Sequence, residues 1–273
     1  MPTTVLSLSH GGGPLPLLND PQHSEMCATL KDLSARIPRP SVVLLISAHW
    51  EEEVVTITSS SNPPLIYDYY GFAKEAYDIK YPARGHPEFA QRLHDHMTRE
   101  GIQTRCSESR GFDHGVFVPM KIMYPNADIP CVQLSLVSSL DPKAHIEIGR
   151  AIQNYQCADD ENLLVIGSGF SFHNINAFFD QSDVDGSISE KNIAFESWLQ
   201  KTITCKETSE ENRENALLNW DNEAPSARFC HPREEHLLPL HVCYGATGRA
   251  SDESISLSIM GKRASMFLWN AGI

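Results

Sequence analysis

Val42-Val-Leu-Leu-Ile-Ser-Ala-His49-Trp50 is an apolar run that ends in a histidine. A β-branched and leucine run of this length is the pattern of a strand buried on both faces. Such strands lie in sheets covered by helices on either side. Ligands of open α/β sheets collect outside the carboxyl ends of these strands, and His49 falls there. The chain repeats the arrangement. Val5 to Ser9 leads into His10, and Leu163 to Gly169 leads, four residues later, to His173. Three strand-like runs thus point three imidazoles at one rim.

The 273 residues suffice for one large α/β domain, and no linker composition interrupts them, so a single domain over 1–273 is expected. Hydrophobic content of 41% and charged content of 21% are globular values. Acidic residues outnumber basic ones 35 to 22, for a net charge of −13. With no basic stripe, that balance argues against a nucleic-acid partner. The seven cysteines form no C-x-x-C pair, which fits reduced thiols better than a disulfide framework. No basic-then-apolar leader opens the chain, and no apolar run approaches the roughly 20 residues of a membrane span. A cytoplasmic location with no membrane partner is the expectation.

In chain order, a helix is expected over 24–37, stopped by Pro38-Arg39-Pro40. Glu51-Glu52-Glu53 reads as a solvated turn, and 54–59 alternates as a strand. His86-Pro87 opens an amphipathic helix carrying Phe89, Leu93 and Met97 on one face and closed by Gly101. His94 and His96 fall off that face and read as exposed and idle. Gly111-Phe-Asp-His114-Gly115 reads as a compact loop, with Asp113 available to orient His114. A strand over 131–136 and a helix capped by Asp141-Pro142 follow, with His145 read as surface. Helices are expected over 189–203 and, exposed, over 207–219. Pro232 and the acids after it suggest a helix N-terminus with His231 near its cap and His236 just inside. Segments 254–260 and 265–269 read as a closing edge hairpin.

His10-Gly-Gly-Gly-Pro14 lacks the lysine and spacing of a phosphate-binding loop, and Gly167-x-Gly169 lacks the third glycine and the acid of a dinucleotide fingerprint. What remains is histidine. His10, His49, His173 and His236 sit at strand or helix ends, joined by His114 and His231. Neutral imidazole is the commonest metal ligand, and nitrogen ligation suits iron and zinc. Spacing does not choose between them. The aromatic loop 67–77, with Tyr67, Tyr70 and Phe72, reads equally as satellite packing or as a wall of an aromatic-substrate pocket.

These stretches also resemble a known family. His10-Gly-Gly-Gly-Pro, Ser47-Ala-His49-Trp, Gly111-Phe-Asp-His114-Gly, the Ser168-Gly to His173-Asn174 segment and Glu235-His236-Leu-Leu-Pro-Leu occur in the same order in the class III extradiol ring-cleaving dioxygenases. The likeness is to the 4,5-DOPA dioxygenase branch and extends to Tyr81-Pro-Ala83 and Tyr124 to Pro130. The resemblance implies a single α/β domain with a central mixed sheet flanked by helices. It implies one divalent metal, Fe(II) for catalysis or Zn(II) as bound, held by His10, His49 and His236. It implies His173 as a further ligand or an acid/base group, and His114 as a catalytic histidine beside the metal. His231 and Glu235 are possible additional ligands or supports. The substrates implied are a catechol, such as L-DOPA, and O2, opened to a muconic semialdehyde. One departure stands out. The wider class uses two histidines and a glutamate, and here Glu235 precedes His236, so either residue can fill the third position.

Two other readings remain open. Memo-type proteins resemble this class in fold but are known as interaction proteins. A zinc hydrolase would use Glu235 as base, although no H-E-x-x-H motif is present.

Overall fold

The structure is a computed structural model that describes residues 3–158, 161–180 and 186–270. Its eight strands are β1 (Thr4–Ser9), β2 (Val42–Glu52), β3 (Val55–Thr58), β4 (Thr104–Ser107), β5 (Cys131–Val137), β6 (Leu163–Gly169), β7 (Glu253–Ile259) and β8 (Lys262–Trp269). They form one sheet in the order β4-β3-β5-β2-β6-β1-β8-β7. The middle four, β5-β2-β6-β1, run parallel. β3 is antiparallel to β5, and β8 is antiparallel to β1 and to β7. The sheet is mixed, and β7–β8 form the edge hairpin.

Alternate residues of β2 enter opposite layers. Val42, Leu44 and Ile46 pack with one cluster, and Val43 and Leu45 with the other. That is why the run is continuous rather than alternating. Each such side chain, fully buried, contributes about 1.5–3 kcal/mol.

The helices are α1 (Ser24–Arg36), α2 (Pro87–Arg99), α3 (His114–Met123), α4 (Pro142–Gln153), α5 (Ile175–Phe179), α6 (Ser187–Thr204), α7 (Glu210–Leu218), α8 (Trp220–Glu223), α9 (Ala227–Cys230) and α10 (Leu238–Gly245). α1 and α3 cover one face, and α2, α4, α6 and α10 the other. Among the described residues, no helix is long and apolar enough to cross a membrane.

Several expectations are corrected. Gly111 to Gly115 is not simply a loop, because His114 is the first residue of α3. The apolar run after it is a helix buried on nearly all sides. Glu51 and Glu52 belong to β2, and Glu51 takes both Arg233 NH groups at 2.6 Å. His145 is buried, with Nδ1 donating to Asp141 O (2.8 Å) and Nε2 accepting from Val137 N–H (3.2 Å). His94 and His96 are half-buried and bonded, to Thr104 Oγ1 at 2.6 Å and Ala151 O at 2.8 Å. The helix of 207–219 is not wholly exposed: Arg213 is buried in α7, bonding Cys205 O and Glu210. No helix starts at Pro232. His231 follows α9, and His236 lies just ahead of α10, which opens at Leu238-Pro239.

Candidate metal centre

His10 directly follows β1, and its backbone N–H donates to Gly169 O of β6 (3.0 Å). His49 lies on β2 where the register against β5 shifts between Ile46 and Glu51. Irregular pairing of this kind re-aims side chains at sheet rims. His236 is brought in from the segment between α9 and α10, where its carbonyl accepts from Phe170 N–H (2.9 Å). The approach needs a bare backbone, since a Cβ on Gly169 would stand 2.2 Å from His236 O. Gly169 is therefore a packing glycine.

Ring nitrogens of His10, His49 and His236 all lie within 4.8 Å of one another. Each ring has an oxygen on its Nδ1 side. His10 Nδ1 is 3.0 Å from Ser168 Oγ, and that hydroxyl spends its proton on Gly115 O, so His10 Nδ1 is the donor. His236 Nδ1–H donates to Glu235 Oε1 (2.9 Å). His49 Nδ1 faces Asp68 Oδ2 at 3.7 Å. The Nε2 atoms of His10 and His49 are 3.1 Å apart. Two ring nitrogens at that range share either a proton held by one of them or a common cation. Nitrogens about 2.0–2.1 Å from a common ion would be separated by about 3 Å. The outer oxygens match the supports that metal-bound histidines carry.

Electrostatics agree. Burial first, then the neighbouring imidazoles, hold His10 and His236 well below the usual histidine range. Burial and His114 do the same for His49 against the opposing pull of Asp68. Neutral rings are the form that binds a cation. The donor set therefore fits a single divalent metal.

Two further imidazoles flank the cluster. The His173 ring stacks on His236 with centroids 3.3 Å apart, and its Nδ1 faces Glu235 Oε1 at 3.3 Å. One carboxylate oxygen thus orients two rings. Burial pushes Glu235 up, but the His173 hydrogen bond and nearby positive charge outweigh it and keep the carboxyl below its usual range. The His114 ring lies 3.9 Å from that of His49. Its Nδ1–H donates to Asp68 Oδ1 (2.9 Å), as does its backbone N–H (3.0 Å).

Over residues 4–272 the chain matches the family described as the catalytic LigB subunit of aromatic ring-opening dioxygenase. The chain belongs to the LigB family of dioxygenases. It is 40% identical over 257 residues to dioxygenase tasH of Hapsidospora irregularis, covering 89% of this chain and 77% of that one. It is 37% identical over 214 residues to 4,5-DOPA dioxygenase extradiol of Beta vulgaris, covering 78% and 75% of the two chains. With the protein of that name in Escherichia coli K12 it shares 32% over 258 residues, 94% and 89% of the chains. The fold is similar to the crystal structure of an uncharacterized protein from Escherichia coli K12, at a TM-score of 0.74 and 26% identity, covering 98% of this chain and 100% of that one.

The other candidate residues of this LigB-family protein fall as follows. Tyr70 and Phe72 line the cavity outside the histidines, together with Tyr69. Tyr67 does not. Its hydroxyl donates to Ile79 O (2.6 Å), and its ring packs among Tyr69, Tyr77 and Phe117. His231 lies outside the cluster, between Phe195 and Trp220, with Nε2 bonded to Ser171 O (2.8 Å). Burial pushes its pKa down to about 3, so it serves as a packed neutral ring. Asp113 does not orient His114. It is buried and accepts from Ser47 Oγ (2.7 Å) and Arg110 (2.9 Å).

Two residues escaped the sequence reading. Asp68 sits between Tyr67 and Tyr69, where an acid looks like ordinary loop chemistry. His23 is buried under the glycine loop, paired with Asp20, and its Nε2 accepts from Gly12 N–H (3.0 Å). Gly11, at φ +82°, has no room for a side chain, because a Cβ would meet the His23 ring at 2.7 Å.

Proposed function

We propose that this protein is a metal-dependent extradiol dioxygenase that opens a catechol, L-DOPA or a similar one, with O2 to a muconic semialdehyde. The observation carrying the reading is the convergence of ring nitrogens of His10, His49 and His236, each ring with an oxygen on its Nδ1 side. These three histidines would hold the ion. Glu235 Oε1 is committed to His173 and His236, which favours His236 over Glu235 as the third ligand. The same commitment disfavours Glu235 as the base of a hydrolase.

Fe(II) bound there would acidify a chelated catechol and supply the redox chemistry that O2 needs; Zn(II) would supply only the first. His173, with Nδ1 facing Glu235 Oε1 at 3.3 Å, is the group that takes a catechol proton and later returns one. His114, held by the Asp68 carboxylate, is the hydrogen-bond donor to negative charge developing on oxygen. The stacked His236 fixes the plane of His173, and Asp68 fixes that of His114.

The test is anaerobic reconstitution with Fe(II), addition of L-DOPA or another catechol, and admission of O2. A yellow ring-opened product with matching oxygen uptake is expected. Metal analysis of the isolated protein distinguishes iron from zinc. Iron-loaded protein that leaves every catechol unchanged would end the reading.

A further inference from the structure

The cavity outside the histidines encloses about 380 Å³, within the roughly 300–1,000 Å³ of sites that bury small organic ligands. Its two ends differ. The inner end carries the imidazoles and Asp68. The outer end is built from Phe72, Phe178, Phe179, Ile175, Tyr70 and Met260. Tyr70, Ile175 and Phe179 are 91%, 59% and 69% exposed, and they are three of the five largely exposed large hydrophobic residues among the described residues. Scattered apolar side chains need no explanation, but three at the mouth of one cavity mark a binding surface.

Charge completes the picture. No lysine or arginine is among the described residues lining the cavity, and the chain outside the described residues contains neither. The two guanidinium groups that touch residues of the site are engaged, Arg110 by Asp113 and the His49 carbonyl, and Arg233 by Glu51 and Glu235. Among the described lining residues the one carboxylate is Asp68. A substrate carboxylate at this mouth would meet no lysine or arginine side chain among the described lining residues, and the side-chain charge it would face is that of Asp68. An apolar chain would gain roughly fourfold in affinity per buried methylene.

We propose that, among the catechols this site takes, the preferred substrate is an uncharged one bearing an apolar side chain, with L-DOPA the poorer substrate. This rests on the dioxygenase reading above. The two hydroxyls go to the imidazole end, and the side chain lies against Ile175, Phe178 and Phe179.

The probes are 4-propylcatechol, dihydrocaffeate, dopamine and L-DOPA, which share the catechol ring and carry side chains of similar size that differ in charge. For each, kcat/KM is measured by oxygen uptake on Fe(II)-loaded protein, and the dissociation constant by calorimetry on Zn(II)-loaded protein under argon. Wild type should favour 4-propylcatechol over dihydrocaffeate and L-DOPA by about tenfold or more on both scales. Ile175→Arg, a change at an exposed position, should raise dihydrocaffeate several-fold and lower 4-propylcatechol. Parity or preference for dihydrocaffeate or L-DOPA would overturn the proposal, as would binding of none of the four or an unchanged preference in the arginine variant. If affinities keep the stated order but no ring opens, the dioxygenase reading falls and the ligand class stands.

Discussion

Asp68 Oδ1 accepts two hydrogen bonds from His114, one from the backbone N–H at 3.0 Å and one from ring Nδ1–H at 2.9 Å. The side chain is 20% exposed. Burial pushes the carboxyl up, yet the His114 hydrogen bond and charge hold it below its usual range, so it stays ionised beside the imidazole. Asp68→Asn keeps an acceptor and removes the negative charge that holds the His114 ring. The expected outcome is a fall in kcat of roughly tenfold to a hundredfold at saturating metal. Oxygen uptake and metal content, measured together, check it. Unchanged kcat would remove His114 from the chemistry.

His173 is expected to separate turnover from metal binding. His173→Ala should keep the metal while turnover slows roughly a hundredfold or more. Loss of the metal in that variant would make His173 a ligand, and normal turnover would make it neither ligand nor base.

Gly169→Ala places a Cβ 2.2 Å from His236 O. The His236 segment has to retreat, carrying its ring away from His10 and His49. Metal affinity is expected to fall roughly tenfold or more, since displacing even a ligand's support costs roughly 10–100-fold. A competition titration with a chelator reads this directly. Wild-type affinity would mean that the close approach does not position the ring.

His145 makes stability depend on acid. Burial pushes its pKa down from 6.5 to about 4, and Nε2 has to stay unprotonated to accept from Val137 N–H. A depressed folded-state pKa means that only the unfolded chain takes the proton below pH 6.5. The stabilisation is therefore present above the unfolded value and is lost as pH falls toward 4, by about 2 kcal/mol between pH 7 and 5. Urea unfolding of wild type and His145→Gln at both pH values measures it. The gap between the two proteins should shrink at pH 5, and a constant gap would contradict the assignment.

Legibility in the sequence followed the length scale of each interaction. The β2 run and the glycine-flanked His10 announce a sheet rim because their chemistry is local. The helix of His114 was hidden because Gly115 and Pro119 imitate a loop. His145 and Arg213 sit in stretches whose pattern also suits a solvated helix. Their burial comes from partners on other turns and elements, such as Val137 for His145 and Cys205 for Arg213. Asp68 lies 46 residues from His114, and no periodicity links an acid among tyrosines to that ring. Tyr67 was misplaced for a related reason. An aromatic loop has two faces, and only packing decides that Tyr69 looks into the cavity while the Tyr67 hydroxyl caps Ile79 O.

The most direct measurement is an anomalous difference map from crystals grown anaerobically with Fe(II). One peak is expected per chain, about 2.0–2.3 Å from Nε2 of His10, His49 and His236. An ion bound elsewhere, or three rings around an empty centre at saturating iron, would contradict it.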